Sequence, residues 1–91
     1  MGKRSKEGKT MKIIGKQFPD YVNGKRRGYY TEHYSFRRQG TQLVVTQWVT
    51  NEKNTYNRTL NIRCYEDTEE GRTKANDFYK RLRANGYEVE R

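Results

Sequence analysis

The fold is decided by residues 28–50, which read GYYTEHYSFRRQGTQLVVTQWVT. Aromatic and β-branched residues dominate both halves of this stretch, and such residues favour extended strands. Gln39 and Gly40 separate the two halves by a connection of hairpin length. The stretch therefore predicts two antiparallel neighbouring strands, over residues 28–38 and 43–50.

The segments on either side extend this sheet. Residues 55–65 predict a third strand, because apolar and polar side chains alternate along it. Residues 11–18 have enough apolar content for an additional N-terminal strand, which we expect Pro19 and Asp20 to end. Asn23 and Gly24 follow as a strong turn signal.

A helix completes the predicted fold. Asp67 and Glu70 have the spacing of a capping box, and Asn85-Gly86 supplies a stop. One apolar stripe with helical spacing lies between them, formed by Ala75, Phe78, Tyr79 and Leu82. Residues 87–90 should form a short strand or a docked tail. The fold class is α+β: a three-stranded antiparallel β-sheet, with room for an extra N-terminal strand, packed on one face by a C-terminal α-helix.

Size and composition limit the chain to one small domain. It has 91 residues, of which 31% are hydrophobic and 34% charged, and its eight Tyr, three Phe and one Trp supply the area for a core. We expect residues 1–10 to be a flexible basic arm and residues 11–91 to be the domain. A single cysteine, Cys64, excludes an intrachain disulfide, and no apolar run is long enough to span a membrane. A cytoplasmic or nucleoid-associated, intracellular protein is expected.

Positive charge is concentrated at one end of the chain. Residues 1–28 hold nine Lys or Arg against two acids, residues 29–65 hold five against two, and residues 66–91 hold six against seven. The formal net charge is +9. Such a field attracts polyanions over about 8–10 Å. The distribution therefore predicts a nucleic-acid-binding module.

Alternation along the strands predicts which side chains the helix covers, because one helix covers only one face of a small sheet. The covered face should hold Tyr30, Tyr34, Phe36, Leu43, Val45, Val49, Leu60, Ile62 and Cys64. The open face should hold Thr31, His33, Ser35, Arg37, Thr46, Trp48, Asn57, Thr59, Asn61 and Arg63. Arg and Asn side chains pair with guanine and adenine edges, and Trp stacks on unpaired bases. An ordinary solvated sheet face, with Trp48 packed under the N-terminal segment, is the alternative.

Basic pairs on projecting turns are suited to contact phosphates, which set affinity and register. The candidate nucleic-acid contacts are Lys25, Arg26, Arg27, Arg37, Arg38, Trp48, Asn57, Arg58, Asn61 and Arg63. We expect no acid close to the basic turns. The charges of the helix are of mixed sign, which is typical of a solvated face. We therefore do not expect the helix to be the reading element.

Catalysis, metal binding and cofactor binding are not expected. His33 is the only histidine, and no nucleophile elbow or glycine-rich phosphate loop is present. The acidic cluster at residues 66–70 fits helix capping better than metal ligation. Cys64 is interpreted as a small core residue. We expect no enzyme, no metal, no cofactor, no small-molecule substrate and no membrane partner.

The strand–strand–strand–helix order over residues 28–86 is similar to that of the sheet-reading DNA-binding domains of plant AP2 factors and of the arm-binding regions of phage-type integrases. The resemblance is one of element order, without a shared motif, and it implies duplex DNA rather than RNA as the ligand. A protein-interaction module is the alternative, such as a phage- or mobile-element-encoded inhibitor of a host nucleic-acid-handling protein. Its support is the abundance of Tyr and Arg, which are enriched at interface hot spots.

Overall fold

The computed structural model describes residues 10–90, and the side chains of residues 12–90. These residues form one antiparallel sheet with the strand order β4-β3-β2-β1-β5, and a helix that precedes the last strand. The elements are β1 (Thr10–Val22), β2 (Lys25–Gln39), β3 (Gln42–Asn51), β4 (Asn57–Glu66), α1 (Glu69–Ala84) and β5 (Glu88–Val89). The α+β class is confirmed, and the sheet is larger than the three strands predicted. Residues 1–9 of the predicted arm lie outside the described residues, and Thr10 already belongs to β1.

The first hairpin is longer than the sequence suggested. Its turn is Asn23-Gly24, with φ of 53° and 78°, which is the geometry that an Asn-Gly pair adopts readily. The prediction that Pro19 ends the first strand was wrong, because β1 continues to Val22 after a shift in register between Pro19 and Tyr21. On the side of β1 that faces away from β2, only Ile14 and Gly15 pair with another strand, β5. Pro19 is therefore at an unpaired edge, where a proline is tolerated.

Helix α1 begins one residue later than the capping box suggested. The hydroxyl of Thr68, rather than the carboxylate of Asp67, accepts a hydrogen bond from the Gly71 amide at 3.1 Å. Gly71 also lets the helix approach β4 closely, since a Cβ at that position would overlap the carbonyl oxygen of Glu66. The first turn of α1 is therefore fixed against the end of β4.

The core lies between α1 and one face of the sheet. Its buried members come from four elements and from the segment after the helix: Ile14, Tyr34, Phe36, Val45, Leu82 and Tyr87. Tyr34 and Phe36 contact the helix through its Phe78 and Tyr79 rings, at centroid distances of 5.3–6.2 Å. The predicted covered faces of β2 and β3 are therefore correct for these core positions.

The predicted faces of β4 were wrong for residues 61–64 and correct for Asn57 and Thr59, which pair with Thr50 and Trp48 on the open face. Cys64 pairs with Val44 and Ile62 pairs with Thr46, so the apolar set of β4 lies on the face away from the helix. Ile62 is 58% exposed and Leu60 is 44% exposed. Register decides the face of every residue in a strand, and here Tyr65 opposite Leu43 places Tyr65, Arg63 and Asn61 towards the helix, as far as the register shift at Leu60.

Candidate nucleic-acid interface

The two basic clusters predicted from sequence lie at opposite ends of β2. Ten positions separate Arg27 from Arg37 along this strand, which corresponds to at most about 33 Å at strand rise. The described chain is 47 Å in its longest dimension. The two clusters are therefore separate patches at the two ends of an elongated molecule, and not one continuous surface.

The turn cluster consists of Lys25, Arg26 and Arg27 at the start of β2. All three residues are exposed, and none forms an ion pair with a carboxylate of the described residues. Glu52 nevertheless lies close by, because a Cβ on Gly28 would overlap its carboxylate oxygen. The expectation that no acid lies near this cluster was wrong. Its three side chains remain free to move towards an anion.

The tip cluster consists of Arg37 and Arg38 near the other end of β2. Its side chains make more contacts than those of the turn cluster. The Arg38 Nε atom lies 3.0 Å from one oxygen of Asp67, and the Arg72 Nη1 atom lies 2.9 Å from the other. One carboxylate thus holds two guanidinium groups from different elements and leaves a net charge of +1. The Nε atom of Arg37 is buried without a hydrogen-bond partner among the described residues. Of the predicted pair, only Arg38 is exposed.

A cavity of about 170 Å³ opens beside this tip, between the sheet and the helix. Its lining residues are Lys12, Phe36, Arg38, Leu43, Arg72, Ala75, Asn76 and Tyr79. The Lys12 Nζ atom lies 5.4 Å from the centroid of the Tyr79 ring, a cation–π distance. Sequence reasoning missed Lys12 and Arg72 as partners of Arg38. Nothing in the linear sequence brings these three positions together.

The open face carries a polar cluster around His33. The imidazole stacks on Trp48, with a centroid distance of 4.9 Å and an angle of 13° between the ring planes. Its Nδ1 lies 2.5 Å from the carboxylate of Glu90, and its Nε2 lies 2.8 Å from the hydroxyl of Thr50. Trp48 lies on the open face as predicted, but one side of its ring is occupied by His33.

The predicted contacts on β4 are divided between the two faces. Asn61 pairs with Gln47 and Arg63 with Val45, which places both on the helix side and not on the open face. The Arg63 guanidinium lies 4.5 Å from the centroid of the Phe78 ring, so it covers core surface. Asn57 and Arg58 are exposed at the opposite end of β4 from Glu66. The structure therefore does not bring the predicted contacts of β4 together.

A partly buried carboxylate on the helix side has a structural role. Glu32 accepts hydrogen bonds from the Gln47 side chain at 2.9 Å and from the Tyr87 hydroxyl. Burial and the hydrogen bond to Glu32 raise the pKa of Tyr87 well above its ordinary value. Burial, with a smaller contribution from the charge of Glu32, also raises the pKa of Tyr34. Each oxygen of the Glu32 carboxylate thus accepts a hydrogen bond from a neighbouring side chain.

Residues 10–90 contain no group of three His, Cys, Asp or Glu side chains placed to hold a metal ion. In the same part of the chain no helix has the length and apolar content needed to cross a membrane. Comparison of the chain with known protein families, curated proteins and solved structures finds no match in any of the three. The proposals for function therefore depend on the geometry of the described residues.

Proposed function

We propose that this chain is a non-enzymatic nucleic-acid-binding domain that prefers duplex DNA to RNA. The observation that supports this most is the placement of cationic groups at both ends of the continuous strand β2. Arg27 and Arg38 are 11 positions apart in β2, at most about 36 Å at strand rise, which is comparable with one helical turn of B-DNA, roughly 34–36 Å. Two cationic patches at this separation can contact phosphates on one side of a duplex.

The preference for DNA depends on groove geometry. The β1–β2 hairpin is a two-stranded ribbon between Pro19 and Tyr29, where β2 no longer pairs with β3. Such a ribbon fits the wide major groove of B-DNA, whereas the major groove of A-form RNA is deep and narrow. Contacts of this kind with phosphates set affinity without reading sequence. An intracellular, nucleoid-associated location would follow from this ligand.

The salt dependence of binding tests this proposal. Replacing Arg26 and Arg27 with Gln should weaken binding to duplex DNA and reduce the slope of log K against log[salt] by about 0.9 for each phosphate that is no longer neutralised. Replacing Lys80 and Arg81, two exposed helix residues, with Gln removes the same charge and is the matched control. Equal weakening of binding in both variants would mean that only net charge matters, and would contradict the placement of the interface.

A second candidate function is supported by the exposed apolar side chains near β4. Tyr56 is 49% exposed, and Leu60 and Ile62 also lie at the surface. Large exposed apolar groups beside Arg are typical of protein–protein hot spots. On this proposal the chain binds a partner protein, for example as a phage- or mobile-element-encoded inhibitor. A pull-down from nuclease-treated lysate tests this candidate. Loss of a captured partner protein in Ile62→Ser, with DNA binding unchanged, would favour it.

A further inference from the structure

The cavity beside Arg38 has the size of one aromatic ring. Its volume is about 170 Å³, and its inner wall is formed by Phe36, Leu43, Ala75 and the ring of Tyr79. An apolar protein cavity of roughly 150 Å³ holds benzene, whereas sites for larger organic ligands start at about 300 Å³. The cavity is open on one side, and its volume matches a single six-membered ring better than a fused two-ring system.

The rim of the cavity is cationic. Lys12, Arg38 and Arg72 come from three different elements, and the one carboxylate that contacts them, Asp67, leaves a net charge of +2. Lys12 forms no ion pair with a carboxylate among the described residues, and its ammonium group lies over the Tyr79 ring. Such a rim complements a phosphate, because hydrogen bonds from Lys and Arg to phosphate are charge-assisted.

Asn76 adds a group that can recognise the edge of a heterocycle. Asn76 lines the cavity and is exposed, and its side-chain amide both donates and accepts hydrogen bonds. A purely apolar ring offers this amide no hydrogen bond. A ring with a donor and an acceptor on one edge, as in cytosine, would satisfy it.

We propose that this cavity binds one pyrimidine nucleotide, with the base against Tyr79 and the phosphate at the cationic rim. The inference rests on the proposed function and makes it more specific. The cavity opens at the same end of the sheet as Arg38, which is one of the groups proposed to contact phosphates. The nucleotide is either an unpaired residue of the bound strand or a free mononucleotide, and both share this chemistry.

Chemical-shift titration of the labelled chain distinguishes the parts of the ligand. Addition of dCMP should shift the amide signals of Ala75, Asn76 and Tyr79 and leave those of the turn cluster unchanged. Binding of dAMP, deoxycytidine or deoxyribose 5-phosphate should each be about tenfold weaker, because each either exceeds the cavity or lacks one of the two recognised groups. Equal affinity for dCMP and dAMP would overturn the proposal.

Two helix residues provide a matched pair of variants. Arg72→Gln should weaken dCMP binding about tenfold, because it removes a charge-assisted hydrogen bond. Lys74→Gln removes the same charge two positions away, outside the cavity wall, and should leave binding unchanged. Ala75→Leu should abolish binding by filling the cavity. If Ala75→Leu fails to fold, the Arg72 and Lys74 pair decides, and equal effects in the two would overturn the proposal.

The source of the nucleotide is tested with two DNA ligands. A duplex with one unpaired terminal dC should bind several-fold more tightly than the blunt duplex if the site takes a strand residue. If dCMP binds but the two duplexes bind equally tightly, the site is supported and its ligand is a free nucleotide. If dCMP does not bind and the two duplexes bind equally, the cavity proposal fails while DNA binding itself stands. Absence of binding to every ligand would contradict both.

Discussion

Substitution of Gly15 by Ala should destabilise the chain by displacing the side chain of Glu90. A Cβ at this position would overlap the carboxylate of Glu90, which lies 2.5 Å from the Nδ1 atom of His33. The added methyl group therefore moves Glu90 away from His33. A hydrogen bond to a charged group contributes about 1.5–3 kcal/mol when shielded, and about 1 kcal/mol where one partner is partly exposed to solvent.

The sign of the Gly15→Ala effect depends on Glu90. Alanine is favoured over glycine within a strand by about 0.5–1 kcal/mol, which offsets part of the destabilisation. We expect a net decrease of up to about 0.5 kcal/mol in the free energy of unfolding of the wild-type background. In a Glu90→Ala background the overlap disappears, and the same substitution should stabilise by about 0.5 kcal/mol. The nearest remaining atom to the built Cβ would then be the Thr31 methyl group, at 3.3 Å.

Urea unfolding of the four variants of this cycle measures the coupling free energy directly. A shift of about 1 kcal/mol corresponds to about 4–8 °C in Tm for a domain of this size, so thermal unfolding provides a second readout. Equal effects of Gly15→Ala in both backgrounds would refute the reasoning, because the destabilisation would then not pass through Glu90.

Two further predictions concern stability. Tyr87→Phe should reduce the decline of stability at alkaline pH. Because folding raises the pKa of Tyr87, its hydroxyl ionises in the unfolded chain from about pH 10.0 upward while it stays protonated in the folded chain. The free energy of unfolding therefore falls as pH rises through this range. Comparison of urea midpoints between about pH 8 and 11 tests this, and an unchanged pH dependence would contradict it. Ile62→Ser should change the free energy of unfolding by no more than about 0.5 kcal/mol, whereas Val45→Ala should cost about 2 kcal/mol, because Ile62 is 58% exposed and Val45 only 2%. A large decrease in the free energy of unfolding of Ile62→Ser would mean that Ile62 faces the helix.

The elements that sequence predicted correctly are those specified by local pattern. Turn residues with positive φ at Asn23 and Gly40 mark both hairpins of β2, and the stripe from Ala75 to Leu82 defines one face of the helix. These signals depend on neighbours within a few positions. The extension of β1 past Pro19 was missed because a proline is excluded only from a strand that is paired on both sides. Whether β1 is paired on both sides at Pro19 depends on the order of the strands in the sheet, which is not a local property of the sequence.

The site was less predictable because its parts are distant in sequence. Lys12 and Arg72 are 60 positions apart, and only the packing of α1 on the sheet brings them to one cavity. Glu90 reaches His33 only because β5 pairs with β1. In β4, both faces carry large side chains, with Arg63 and Tyr65 on one and Ile62 on the other, so alternation alone does not indicate which face meets the helix.

The register shift in β4 limits how copies of this chain can join. Thr59 pairs with Trp48 and Asn61 with Gln47, which leaves Leu60 as an extra residue in the outermost strand. A regular edge strand offers an unbroken row of N–H and C=O groups to any extended chain, and a bulge interrupts that row. A contact of another molecule with the surface around Ile62 would therefore use side chains, because the bulge interrupts the row of backbone groups along which a neighbouring strand would pair.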